Sequence, residues 1–353
     1  MTTISPTITL EQIVSQARRR IEVSDAELDE ARKRRGAIST ALRDEFPGSR
    51  TYVNGSIAHG DALTPLTDVD LGVVVPDSDH EYGPGKRGPK DLKERAADAI
   101  RAGLREEYGD LAVEVKGRKR SILVRFRDPV APGQPDFTAD VIIAIDNPDG
   151  AGLYIPVFNS WDRSHPEKHT ELVSIANTIT DACFARIVRL LKHWNRSNGK
   201  PLCSWNIKAL ALNCVDAPTA LIPGLRAWFD FAIKELSRGE TPDPASVAEK
   251  PIKLNDTRTE VIRRLTRALE KLDRAIEYEK TGYTVLAHNE IAKFFNDPEM
   301  LPAPDPTAVM QEEARRITAQ KAKDTKTFGA PALLTGTGAA AGRERGNVRS
   351  WGA

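Results

Sequence analysis

Apolar and polar positions along the chain change period several times, and each change predicts an element. Thr9-x-x-Gln12 is a capping box ahead of a short helical run to about Arg20. Ser24-x-x-Glu27 is a second one, opening a longer run to about Phe46, where Pro47-Gly48 stops it. In the longer run Leu28, Ala31, Ala37, Ile38, Leu42 and Phe46 recur close to helical spacing with charges between them, which predicts a long helix packed along a lobe. The pattern then turns to strands. Thr51 to Val53 is short, and Asp68 to Val75 is an apolar run opened by two acids. Leu111 to Val115, Ser121 to Phe126 and Phe137 to Ile145 follow a helical stretch from Asp91 to Glu107. From Trp161 the character is largely helical. Asp181 to Ser197, Asn206 to Val215, Pro223 to Leu236, Arg258 to Glu279, Thr284 to Phe295 and the polar Thr307 to Lys323 are the expected helices. Pro76 to Lys90 reads as an exposed loop and Gly239 to Lys253 as a Pro- and charge-rich connection. Thr325 to Ala353, rich in Gly, Ala and Thr, predicts a mobile tail. No internal repeat is present.

Composition narrows the function classes. The 353 residues can bury a sizeable core, and 51 basic against 50 acidic residues give no argument for sequence-independent nucleic-acid binding. Cys183, Cys203 and Cys214 show neither CxxC spacing nor an even count, so neither a disulfide framework nor a zinc site is indicated. No run approaches a membrane span, and the N-terminus lacks a signal pattern. A soluble, cytoplasmic protein is expected, with no membrane partner.

The chemistry concentrates in Gly55 to Val75. Asp68 and Asp70 alternate into the same face of the strand, and two adjacent carboxylates resist joint ionisation unless a cation lies between them. Mg²⁺ suits such a pair, because it takes oxygen ligands and is held by one or two carboxylates plus substrate phosphates. Gly55 and Ser56 read as a phosphate-facing turn, close backbone approach coming from the glycine and hydroxyl and amide donors from the serine. The bland alternative is an Asx-type turn into a buried strand. Asp140, inside FTADVIIAI, requires a charge partner or a metal. One assumption covers all three acids: Asp68, Asp70 and Asp140 hold two Mg²⁺ ions, at the roughly 3.5–4 Å spacing of two-metal sites. Asp136 and Asp146, at the strand's ends, need no special partner, and Asp77, Asp79 and Glu81 read as a solvated turn. Arg186, Arg189, Lys192 and Arg196 form a basic stripe, either a solvated face or the border of an anion cleft. Ser204 lies near a helix N-terminus, where phosphate is favoured. Trp205 either stacks on a base or fills the core, and His165 and His169 favour capping or surface roles.

Taken together, GS…DVD, Asp140, the run W-x-x-x-HP-x-x-H from Trp161 to His169, and RLLKHWN followed by LCSW resemble the bacterial CD-NTases. These are relatives of cyclic GMP-AMP synthase and oligoadenylate synthase within the polymerase-β-like nucleotidyltransferases, and the resemblance spans about residues 20 to 300. It implies a bilobal α+β enzyme: a mixed-sheet catalytic lobe over residues 1–160, a helical nucleotide-binding lobe over 161–323 and a flexible tail over 324–353. It implies an enzyme that joins nucleoside triphosphates (ATP, with UTP or GTP as further candidates) into cyclic or linear oligonucleotide messengers for anti-phage signalling. Asp68, Asp70 and Asp140 would bind Mg²⁺, with Mn²⁺ as the alternative ion. Gly55, Ser56, Lys192 and Ser204 would contact triphosphate oxygens and Trp205 a base. Asn177 takes a base-reading position, against the alternative of a helix-surface amide. The C-terminal residue would permit attachment by a ubiquitin-like ligation partner, and no requirement for double-stranded DNA is implied. Asp61 departs from the hydroxyl residue often found there in relatives. A nucleotidyltransferase acting on tRNA or a protein, and an inactive nucleotide-binding scaffold, are the competing readings.

Overall fold

The computed structural model describes residues 8–327 apart from 78, 79, 131 and 249, with side chains as far as residue 323. Both capping boxes form. Helix α1 (Leu10–Arg20) starts where Thr9 Oγ1 accepts from Gln12 N and Gln12 Oε1 accepts from Thr9 N, and α2 (Asp25–Glu45) starts on the reciprocal pair of Ser24 and Glu27. Glu27 also reaches across to the chain that feeds the first acidic strand. Its second oxygen accepts from Leu66 N at 2.8 Å and Thr64 Oγ1 at 2.9 Å, so one buried carboxylate fixes both a helix start and a loop.

The sheet comprises β1 (Arg50–Val53), β2 (Asp68–Val75), β3 (Ala112–Glu114), β4 (Ile122–Arg125), β5 (Thr138–Asp146), β6 (Leu153–Val157) and β7 (Ser160–Ser164). Its order is β1-β2-β5-β4-β3, with β6 paired to the end of β5 and β7 to β6. Strands β2 and β5 run parallel and the other pairs antiparallel, so the sheet is mixed. A short helix, α3 (Gly55–Ala58), joins β1 to the loop before β2, and α4 (Gly88–Leu104) returns the chain after it. Alternation along β2 and β5 sends Val69, Leu71, Val73, Ala139, Val141 and Ile143 into a core shared with Ile38 and Leu42 of α2 and Leu92, Ala96 and Ile100 of α4. Gly72 is required by its neighbour: a Cβ there would stand 1.9 Å from the Tyr52 ring.

The second half folds into α5 (Pro166–Ile179), α6 (Cys183–Ser197), α7 (Ser204–Ala211), α8 (Leu221–Arg238), α9 (Arg258–Lys280), α10 (Thr284–Phe295) and α11 (Pro306–Thr327). Its core gathers Phe184, Ile187, Leu191 and Trp194 of α6 with Trp228, Phe229, Leu265 and Phe294. Helix α1 belongs to this core through Leu10, Val14 and Ala17, and Glu11 accepts from Leu221 N and Ile222 N to cap α8. The expectation put residues 1–160 in the sheet lobe. Here α1 packs with the helices, a choice of partner that amphipathic spacing does not encode. The expectation of largely helical structure from Trp161 also missed the β6–β7 hairpin. Strand β7 is a polar edge, Pro156 interrupts β6, and neither shows the alternation that marks a half-buried strand. Helix α11 continues to Thr327, past the boundary expected at 323; the rest of the tail, with the expected point of C-terminal attachment, and Asp79 lie outside the described residues. No helix among the described residues is long and apolar enough to cross a membrane.

Burial pushes the Glu27 carboxyl up, but its hydrogen bonds from Ser24, Leu66 and Thr64 outweigh this and hold it below the usual carboxylate range. Its stabilising effect is therefore complete above the unfolded value of about 4.3 and is lost as pH falls through the lower folded value. Glu27→Gln is expected to destabilise the protein at pH 7 by roughly 1–3 kcal/mol. In thermal melts across pH the gap to the parent should narrow below about pH 4.

Candidate active site

The parallel register of β2 and β5 sets the acids. Asp70 stands directly beside Asp140 and Asp68 beside Thr138, and the two-residue period puts Asp68 and Asp70 on one face of β2. Gly55 closes over Asp70 with φ +80°, and a Cβ at Gly55 would stand 1.8 Å from Asp70 Oδ2. Only glycine meets both demands. Asp140 is oriented by Ser121, whose hydroxyl donates to its Oδ1 at 2.7 Å.

This acidic face is short of positive charge. Burial first, then Asp68 and Asp140, push the Asp70 carboxyl up to about 6 against the pull of Lys208 and Lys192. Burial and Asp140 raise Asp68 likewise, opposed by Lys192. Among the described residues no three His, Cys, Asp or Glu side chains form a ready-made metal shell. Asp68, Asp70 and Asp140 nevertheless fit a hard divalent cation as a donor set: they are oxygen donors on two neighbouring strands, Asp70 and Asp140 half-buried and Asp68 open to the solvent, with too little positive charge beside Asp70.

Opposite the acids stands a wall of cations from the helical lobe, gripping residues 59–62. Asn177 Nδ2 donates to His59 O at 3.1 Å, Arg189 donates to Gly60 O at 2.6 Å and Ala62 O at 3.1 Å, and Lys192 donates to Asp61 O at 2.9 Å. Asp61, wholly buried, also takes Lys192 Nζ on Oδ1 at 2.5 Å and Lys208 Nζ on Oδ2 at 2.9 Å. Burial alone would raise Asp61, but Lys208 and Lys192 outweigh it and hold the carboxyl below its ordinary range. Lys208 donates in addition to His59 Nδ1 at 2.6 Å. That contact assigns the proton of His59 to Nε2, which faces Thr170 Oγ1 at 3.2 Å, and Thr170 donates onward to Val53 O. Burial and then Lys208 pull His59 down to about 3, so the imidazole stays neutral.

Between the two walls is a cleft of about 510 Å³ that brings together Gly55, Ser56, Asp68, Asp70, Lys192 and Ser204 of the expected residues. Asp140 stands behind it, next to Asp70. Trp205 faces an adjoining cavity of about 560 Å³ lined also by Trp161, His169 and Asp243, and Cys203 and Asn255 border both spaces. Its ring lies 4.3 Å from that of His169, whose Nε2 pairs with Asp243 at 2.6 Å. His165 caps α5 by accepting from Lys168 N. Asn177 is not brought to the cleft: its Nδ2 donates to His59 O and its Oδ1 accepts from Ala185 N, so the amide joins α5 to α6 and the 59–62 loop. The sequence reading missed Lys208 and the role of Asp61. One signal was available for Lys208, a lone charge in the apolar run Ile207-Lys208-Ala209-Leu210-Ala211.

No family model matches the chain. A cyclic AMP-AMP-AMP synthase of Escherichia coli (strain MS 115-1) is 27% identical over 180 residues, 48% of this chain and 50% of that protein, so the match spans about half of the curated relative. Among solved structures, CdnC from E. coli MS115-1 in complex with HORMA-deltaN superposes with TM-score 0.63 at 18% identity, covering 82% of this chain and 98% of that one. The GTP-bound form of Vibrio cholerae DncV superposes with TM-score 0.56 at 18% identity, covering 87% and 83%. The chain therefore shares the fold of these proteins.

A raised carboxyl works against the fold. Because the folded Asp70 value of about 6 exceeds the unfolded value of about 3.9, metal-free stability falls as pH rises between the two and is flat above them. With chelator at pH 7.5, Asp70→Asn is expected to melt a few degrees above the parent, the difference vanishing below about pH 4. Added Mg²⁺ should raise the melting temperature of the parent and leave the variant unmoved. A variant that melts lower and still responds to Mg²⁺ would show that Asp70 is not part of a cation site.

Proposed function

We propose that this chain is a bacterial CD-NTase, a nucleotidyltransferase that joins ribonucleoside triphosphates into a cyclic or linear oligonucleotide with release of pyrophosphate, in anti-phage signalling. The observation that carries the reading is the register that sets Asp70 beside Asp140 under Gly55, facing Lys192 and Ser204 across one cleft. The curated match to a cyclic AMP-AMP-AMP synthase and the shared fold support it.

Asp68, Asp70 and Asp140 would hold two divalent ions, Mg²⁺ or Mn²⁺, which supply charge neutralisation at the transferred phosphoryl group and acidify the attacking hydroxyl. Gly55 and Ser56 offer donors to the phosphates of the reacting triphosphate, with glycine leaving the backbone free to approach. Lys192 and Ser204 bind its oxygens from the opposite wall, where cations offset the charge of the departing pyrophosphate. Asp140, oriented by Ser121, would help to activate the acceptor hydroxyl that attacks the α-phosphorus. Trp205 offers a face for a base in the adjoining cavity. Asn177 does not line the cleft, and its amide bonds His59 O and Ala185 N, which favours a packing role over base reading. ATP is the first candidate substrate, with UTP and GTP beside it, and a ubiquitin-like ligation partner at the C-terminus is a separate proposal.

Incubating the protein with the four radiolabelled ribonucleoside triphosphates and Mg²⁺, with and without RNA, tests the reading. Small oligonucleotide products and pyrophosphate are expected without RNA; label confined to RNA or protein would favour macromolecule modification instead. Asp68→Ala with Asp70→Ala should abolish turnover and leave folding largely intact. Gly55→Ala should reduce turnover by at least about tenfold, since it must displace the Asp70 carboxylate, and a cost of 1.4 kcal/mol is already tenfold. Full activity in either variant would refute the site assignment.

A further inference from the structure

Resting on the reading above, we propose that Lys208 is a second triphosphate-binding lysine, with Asp61 and His59 as the residues that position it. Its Nζ sits between Asp61 Oδ2 at 2.9 Å and His59 Nδ1 at 2.6 Å, and its side chain lines the same cleft as Lys192 and Ser204. Helix α7 starts at Ser204, and Lys208 lies one turn further on, on the face that carries Ser204.

Charge counting explains why the lysine is there. Lys192 and Lys208 share a single carboxylate, Asp61, and the neutral His59 adds none, so one positive charge is left over in a buried setting. An unpaired buried charge is expensive, and only 4% of Lys208 is exposed. The counter-charge lies across the cleft on Asp68, which feels Lys192, and on Asp70, which feels both lysines. Once cations occupy the acids that counter-charge is withdrawn, and the surplus on the lysine wall is available to an anion. A triphosphate with its cations supplies charge of the sign each wall lacks. Lys208 Nζ is held by an ion pair to Asp61 and a hydrogen bond to His59, which leaves N–H capacity for a phosphate oxygen in the cleft that its side chain lines. His59 accepts from Lys208 only because its own proton is committed to Thr170, and Thr170 is anchored on Val53 O, the last residue of β1 before the Gly55 turn. The same chain of contacts thus ties the lysine to the turn expected to hold the phosphates.

The test measures binding apart from turnover. A non-hydrolysable ATP analogue and AMP are titrated calorimetrically into the full-length protein with Mg²⁺, comparing the parent with Lys208→Met, Asp61→Asn/Lys208→Met and His59→Phe. Lys208→Met should weaken the triphosphate analogue roughly 10- to 100-fold and AMP hardly at all, the loss expected for one charge-assisted contact. Lys208→Met leaves Asp61 paired with Lys192, so no carboxylate is orphaned; the double variant, which keeps a side-chain oxygen for Lys192, should show the same selective loss. His59→Phe should show a smaller loss of the same kind. Equal loss for both ligands, or none, in a variant that melts cooperatively would overturn the proposal while leaving the nucleotidyltransferase reading intact. A parent that binds no triphosphate would overturn both.

Discussion

Everything about the cleft depends on one buried carboxylate. Asp61 lies in a loop of the sheet lobe, yet its partners Lys192 and Lys208 come from α6 and α7 of the helical lobe. Such an ion cluster is a weak source of net stability, because desolvating the charges offsets most of their attraction, but removing one member leaves a buried charge unpaired. Its effect is geometric. Asn177, Arg189 and Lys192 hold the loop by its backbone carbonyls, and so tie the chain that leads into the acids on β2 to the cations opposite.

The two walls are complementary in charge and each is incomplete by itself. On the acidic side Asp70 is pushed up to about 6 because burial and two neighbouring acids outweigh the distant lysines. On the basic side two lysines share one acid. A fold selected for stability alone would neutralise both walls internally. Strain of this kind is what a site for metal ions and polyphosphate carries until its ligands arrive. The obligatory glycine at 55, pressed onto Asp70, belongs to the same economy of space.

What could be read from the sequence was what is local. The capping boxes at Thr9 and Ser24, the apolar run after Asp70 and the acid inside FTADVIIAI follow from short-range periodicity, and the structure places them on α1, α2, β2 and β5. Pairings distant in sequence were not legible. Asp61 and Lys192 lie 131 residues apart, and nothing in either neighbourhood names the other. The β6–β7 hairpin escaped because a polar edge strand has no alternation to show, and α1 was placed on the wrong lobe because an amphipathic helix does not state which core it covers. Asn177 shows the converse: a position suggested by spacing alone, whose amide the fold uses for packing.

The most direct test of the central claim, that these walls enclose one triphosphate and its cations, is a crystal structure with Mg²⁺ and a non-hydrolysable ATP analogue. The account predicts metal density on Asp68, Asp70 and Asp140, with the phosphates running from Ser56 to Lys192 and Ser204. Phosphates seated in another cavity, or nucleotide bound with no cation at the three acids, would contradict it.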